Sequence, residues 1–258
     1  MKSIRRGYLP EYEKTFRGQA IDTLREAVTD ALFLLNRGHS LKRATTIAME
    51  HYQLPDYQRL ALSRGLASDA EISRRTRTKL TRPDCNGASV LLDGFNAIIL
   101  MESLISESPI FLCMDGAVRD LANLKGSYHI IDKTERAIKL ILDEMDSLNI
   151  ANAHIHIDNP VSNSRNLKCL ILELAQNYHT NIDVQLIDAC DKSFYGSPCI
   201  ISGDGVVIDN ATSWIPLYAW IVQRYQQSHP VWLINFDELS QKYRNMIASA
   251  PLNKEEHS

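Results

Sequence analysis

Apolar residues recur at helical spacing through the first quarter of the chain and gather into short runs through the rest. Over 20–36, Ile21, Leu24, Val28, Ala31, Leu32 and Leu35 fall three and four residues apart, which predicts a helix that Gly38 stops. Ser40 is placed to cap a second helix over 41–52, and a third begins near Asp56, carrying Leu60 and Leu62 toward Gly65. Beyond Ser89 the pattern changes. Strand-like runs appear at SVLL (89–92), IFLCM (110–114), HII (129–131), AHIHI (153–157), VQLI (184–187), CIIS (199–202) and VWLI (231–234). Between them lie amphipathic segments, clearest at 134–148 with Ile138, Ile141, Leu142 and Met145 on one face, and at 163–178 with Leu167, Leu170, Ile171 and Leu174. Asp132-x-x-Glu135 supplies a capping-box pattern ahead of the first. This alternation predicts an α/β domain over 89–250, a mostly parallel sheet with helices on both faces. A small helical N-terminal domain (1–72), a basic linker (73–88) and a polar, frayed tail (251–258) complete the expected organisation.

Charge divides along the same line. The net charge of −3 over 258 residues is the sum of +7 in residues 1–82 and −10 in the remainder. A basic N-terminal third suits a polyanion, and an acidic remainder suits cations. SRRTRTKLTR (73–82) concentrates Arg74, Arg75, Arg77, Lys79 and Arg82 without an acid, so it reads either as a nucleic-acid-facing strip or as a solvated connection. Three short helices ahead of it suit a small DNA-binding bundle, or equally a cap packed on the next domain. The five cysteines are widely spaced with no C-x-x-C pair, which points away from disulfide frameworks and zinc. No apolar run is long enough for a bilayer, and the expected location is the cytoplasm.

The chemistry lies in the aspartates. Asp93 follows SVLL, Asp115 follows IFLCM, Asp158 follows AHIHI, Asp188 follows VQLI, and Asp204 follows CIIS after one glycine. In an open parallel sheet the C-terminal ends of the strands share one edge, so these side chains are expected to converge. Carboxylates gathered without thiolate or imidazole make a hard oxygen site suited to Mg²⁺ or Mn²⁺, and such ions support phosphodiester hydrolysis. The competing explanation is that each Asp caps the following helix or turn. Asp93-Gly94-Phe95-Asn96 is the strongest local motif, with Asn96 placed to fix the carboxylate or bind phosphate; Ser202-Gly203-Asp204-Gly205, with Asp209 beyond it, is the next.

These two segments resemble the PIN and NYN-like nuclease superfamily, in which a D-G-x-N-like turn follows the first strand and an S-G-D-x-D-like turn follows a later one. The resemblance implies a PIN-like fold over the α/β region, divalent metal on the matching Asp93 and Asp204, and cleavage of RNA more than DNA. Asp209 comes later than the family pattern places its second acid, and Asp158, Asp183 and Asp188 compete for the middle position. The whole chain also resembles an uncharacterised prokaryotic family of unknown function, through LLNRG (34–38), LLDGFN, DGAVRDL and PVSNS.

Other residues extend the candidate list. Ser162, Asn163 and Ser164 precede a helix whose N-terminus could cradle phosphate, with Arg165 as a clamp, or they are an ordinary cap. Arg119 is a further substrate-binding candidate, or it pairs with Asp120 on a helix surface. His154 and His156 share a strand face, where a structural role is favoured over metal binding. Trp214, Trp220 and Trp232 read as packing residues. The candidate catalytic set is Asp93, Asp158, Asp188 and Asp204, with Asp209 as a further metal ligand. The alternatives are a catalytically inactive nucleic-acid-binding protein and an enzyme acting on a small phosphorylated metabolite or nucleotide. A homodimer is compatible with all of them.

Overall fold

The computed structural model describes residues 4–122 and 126–249, and the tail expected at 251–258 lies outside them. Helices α1 (Tyr12–Thr15), α2 (Gln19–Leu35), α3 (Leu41–His51), α4 (Asp56–Gly65) and α5 (Asp69–Thr78) come first. The chain continues through β1 (Ser89–Asp93), α6 (Gly94–Ile105), β2 (Ile110–Leu112), β3 (Val118–Arg119), α7 (Thr134–Ser147), β4 (Asn152–Asp158), α8 (Ser164–Ala175) and β5 (Asn181–Ile187). It closes with β6 (Ile200–Ile201), α9 (Gly205–Asn210), α10 (Leu217–Tyr225), β7 (Leu233–Asn235), α11 (Phe236–Leu239) and α12 (Gln241–Ser249).

The architecture is α/β, with a parallel four-stranded sheet ordered β5-β4-β1-β6 and a helical N-terminal region. Strand alternation sends Val90, Leu92, Ala153, Ile155, Ile157, Val184 and Ile201 to one face, into the core shared with α6, α7, α8 and α10. The opposite face is covered over β1 and β6, where Leu91 and Ile200 pack with Phe194, Val207, Ile208 and the fully buried Trp214. Over β4 and β5 that face is polar: Ser89, Asn152 and Asn181 are register neighbours joined by amide hydrogen bonds of 2.9 and 3.1 Å.

The second sheet, ordered β3-β2-β7, belongs to another core. Phe111, Met114, Ile234 and Phe236 pack among Leu24, Val28, Leu32 and Leu62 of the N-terminal helices. The apolar clusters therefore do not follow chain order, and the helical region is completed by strands from beyond position 100. The stretch expected as a linker is largely helical. Ser68 and Glu71 form a reciprocal capping box that starts α5 and carries it to Thr78. The Asp132-x-x-Glu135 pattern does not act as a box: α7 is capped at Lys133 without a side-chain bond, while Thr134 Oγ1 accepts from Ile131 N. HII (129–131) is not a strand. Among the described residues no helix is long and apolar enough to cross a membrane.

Candidate active site

Four strand ends share one edge. The register sets Asp93 beside His156, and Leu92 beside Ile201, so Asp158 on β4 and Asp204 beyond β6 flank Asp93, while Asp188 follows Ile187 at the outer strand. Asp93 is 6 % exposed and caps α6, accepting from Asn96 N at 3.1 Å and Asn96 Nδ2 at 2.6 Å. A Cβ at Gly94 would come within 2.9 to 3.2 Å of Ile155, Ile157 and the His156 carbonyl, so only glycine lets α6 start this close to β4. Asp204 caps α9, with Oδ1 accepting from Val206 N and Val207 N at 2.6 and 3.2 Å. The capping explanation and the site explanation therefore coexist in the same two residues.

Burial pushes the Asp93 carboxyl up to about 7; the Asn96 bonds oppose this, and the charges of Asp191 and Asp158 reinforce it. Asp191 is likewise raised, first by partial burial and then by Asp204 and Asp158. Asp93, Asp158, Asp191 and Asp204 thus form one electrostatic neighbourhood. Asp191 is the member the strand-end rule does not find, because it lies on a 3₁₀ turn, Cys190–Phe194, after β5. That turn is fixed by Asp158 Oδ1, which accepts from Cys190 N at 3.1 Å, and by Ser193, whose hydroxyl donates to the Cys190 carbonyl at 2.6 Å and lies 2.7 Å from His156 Nδ1. His156 is a structural support here; His154 lies 3.5 Å from Asp183. Asp188 accepts from Asn159 Nδ2 at 3.0 Å.

The buried Cys190 thiol, pushed up by burial and by Asp93, Asp158 and Asp191, shares this neighbourhood, and the charged groups in it are carboxylates, whose mutual repulsion a hard divalent cation would relieve. Among the described residues no three such side chains already converge as ligands of one ion.

Several expected site residues have other partners. Asp115 lies in the turn three residues after β2, in the second sheet and away from the shared edge, and is salt-bridged to Arg75 at 2.7 Å and Arg119 at 2.6 Å. Asp209, expected as a metal ligand, has both oxygens on guanidinium groups, 2.9 Å from Arg74 and 2.7 Å from Arg75. Arg75 is buried between these two acids, so of the basic strip Arg77 and Lys79 remain fully outward, while Arg74 and Arg82 are exposed but paired, Arg82 with Glu144 at 2.9 Å. Arg119 is committed to Asp115 and to the Arg64 and Gly203 carbonyls. Ser162 and Asn163 grip the Tyr128 backbone, with 3.0 and 2.7 Å bonds to its carbonyl, and Ser164 bonds to the Asn159 carbonyl. That segment docks a loop. Arg165 is exposed.

A cleft of about 390 Å³ opens between the helical region and this edge. Asn96 and Asp204 line it, together with Arg64, Asp120, Leu100 and Tyr218. Asp120 lies beside Arg64 at 3.9 Å, rather than pairing with Arg119, and burial pushes its carboxyl up to about 6.

Comparison with known proteins finds two family matches and one relative. Residues 83–220 match a domain of unknown function (DUF5616), and residues 23–78 match a protein of unknown function (DUF434). An uncharacterised protein of Methanocaldococcus jannaschii, MJ0935, is 32 % identical over 186 residues, which is 72 % of this chain and 89 % of that protein. No solved structure matches. With more than half its length covered by one model, the chain belongs to the DUF5616 family.

Proposed function

We propose that this protein is a divalent-metal-dependent phosphodiesterase acting on nucleic acid, RNA before DNA, with Asp93 and Asp204 as its principal carboxylates and Asp158 and Asp191 beside them. The observation that carries the reading is Asp93: a buried carboxyl pushed to about 7 by its surroundings and by neighbours of its own sign, at the ligand-binding edge of a parallel sheet. Among the described residues no basic side chain offsets Asp93, and the likeness of the Asp93 and Asp204 turns to PIN and NYN-like nucleases points the same way. A bound Mg²⁺ or Mn²⁺ would supply an activated water and neutralise charge on a phosphoryl oxygen. The chain's own part is positional. Asn96 holds Asp93 in its rotamer and presents its amide at the cleft, while the Val206 and Val207 N–H groups hold Asp204. Incubation of the protein with RNA and Mn²⁺ should give cleavage that is lost in folded Asp93→Asn and Asp204→Asn proteins. Undiminished cleavage in both would remove the assignment.

A second reading, hydrolysis of a small phosphorylated nucleotide or metabolite by the same edge, is favoured by the pairing of Arg74, Arg75 and Arg119 with Asp209 and Asp115. Those guanidinium groups are drawn away from a polyanion track. The two readings separate by salt: RNA cleavage through many phosphate contacts weakens steeply between 50 and 200 mM salt, on the order of 10³-fold or more, and a single-nucleotide reaction does not.

A further inference from the structure

The cleft carries an inference about what the site accepts, and it rests on the phosphoester reading above. Its volume of about 390 Å³ is of a size for one nucleotide-sized unit. One part of its lining is apolar: Leu41, Leu66, Leu100 and Val206. Val206, two residues after Asp204, is 61 % exposed, an open apolar side chain that a flat ring would cover. Another part is a donor beside an acceptor. Arg64 Nη1 donates to the Asp120 backbone carbonyl and lies 3.9 Å from Asp120 Oδ1, which leaves the rest of the guanidinium for a ligand; the Asp120 side chain is 12 % exposed and its Oδ1 also accepts from Ala122 N at 2.7 Å. Arg119 donates to the carbonyls of Arg64 and Gly203, tying this pair to the turn that carries Asp204.

A side-by-side cation and anion discriminates among ligands. Phosphate at this point would meet Asp120, and a simple cation would meet Arg64. A neutral heterocycle whose edge sets an acceptor next to a donor satisfies both, and that is the edge of a nucleobase. Guanine offers O6 to the guanidinium and two donors, N1–H and N2–H, to the carboxylate; adenine offers one donor. We infer that the cleft is a nucleobase pocket, with guanine its best occupant, that seats one nucleotide through Arg64, Asp120 and the Val206 wall while its phosphate faces Asn96 and Asp204.

The test is calorimetric titration of the full chain in EDTA with the four nucleoside 5′-monophosphates, and with ribose 5-phosphate as the ligand that lacks a base. The nucleotides should bind, guanosine 5′-monophosphate tightest, and ribose 5-phosphate at least tenfold more weakly. Asp120→Asn and Arg64→Gln should each weaken guanosine 5′-monophosphate tenfold or more. Val206→Asn, on an exposed side chain that folding does not need, should weaken it several-fold. Ribose 5-phosphate binding as tightly as the nucleotides, or guanosine 5′-monophosphate binding unchanged in Asp120→Asn and Val206→Asn, overturns the inference. Base-dependent binding by the unsubstituted protein, with no turnover when Mn²⁺ is supplied, supports the pocket and removes the phosphodiesterase. Metal-dependent turnover without base-dependent binding does the reverse.

Discussion

Replacing Asp93 by asparagine should stabilise the metal-free protein while ending its response to metal. A carboxyl moved from 3.8 to about 7 by its surroundings is a strained anion at neutral pH. At about 1.4 kcal/mol per pH unit, the ionised form costs the fold roughly 4 kcal/mol. Asparagine retains an acceptor for Asn96 N and loses the charge-assisted bond from Asn96 Nδ2, an offset of about 1 to 2 kcal/mol. The net gain is roughly 2 to 3 kcal/mol, or about 4 to 12 °C in Tm for a chain of this size. The sign follows from the raised value. The contribution of Asp93 to stability is complete below 3.8 and is lost as pH rises through about 7, so the advantage of the variant should be full at pH 8 and shrink toward pH 4. Thermal unfolding in EDTA across that range measures it. Added Mn²⁺ should then raise the wild-type Tm and leave the variant unmoved. A variant no more stable than wild type at pH 8, or an advantage independent of pH, refutes the account of Asp93 as an anion without its counter-charge.

Other substitutions probe the frame around the site. Arg75→Ala strips one of two guanidinium partners from the fully buried Asp115 side chain and should cost about 3 to 5 kcal/mol in urea unfolding. The Asp115 carboxyl is opposed by burial but held below its usual value by Arg119 and Arg75, so its stabilisation is present above 3.8 and lost as pH falls below it; in Arg75→Ala the acid-unfolding midpoint should move upward. Gly205→Ala sets a methyl 2.9 to 3.2 Å from the Arg75 guanidinium, which Asp115 and Asp209 pin, and should cost about 1 to 3 kcal/mol and weaken Mn²⁺ binding through Asp204. Gly65→Ala drives a methyl to within 2.4 to 2.5 Å of the fully buried Phe236 ring and should destabilise by a similar amount without a change in metal affinity.

What could be read from the chain divides by the range of the interactions. Strand cores such as AHIHI and VQLI declare themselves through local pattern, and β4 and β5 fall over them. The strand-end rule brought Asp93, Asp158 and Asp204 to one edge, because the rule is local once a parallel sheet is granted. It failed for Asp115 because β2 joins a different sheet, and sheet membership is a non-local property. Helix α6 shows no polar face because residues from Gly94 to Leu104 are almost all buried, so periodicity carries no signal there. The basic strip looked outward because five cations with no adjacent acid resemble a solvated face. The acids that pair with Arg75, Asp115 and Asp209, lie 40 and 134 residues from it, and Arg82 pairs with the likewise distant Glu144, so no local window holds these partners.

Those distant pairs also bear on how the two matched regions act together. Arg75 belongs to the region matched at 23–78, yet its guanidinium supports Gly205 beside Asp204, and its carbonyl accepts from Trp214 Nε1 at 2.8 Å. The edges of β2 and β7 bury Phe111 and Ile234 among N-terminal helices. Residues 83–249 expressed alone would therefore expose Phe111, Met114, Ile234 and Phe236, leave Asp115 with Arg119 as its one arginine partner, and remove the Arg64 side of the cleft. Such a fragment should aggregate or bind hydrophobic dye, and adding residues 4–82 in trans should restore solubility and the cooperative transition of the whole chain. A fragment that is monomeric and melts as cooperatively as the full chain would mean that the helical region is an appended module and not half of the frame that holds Asp204.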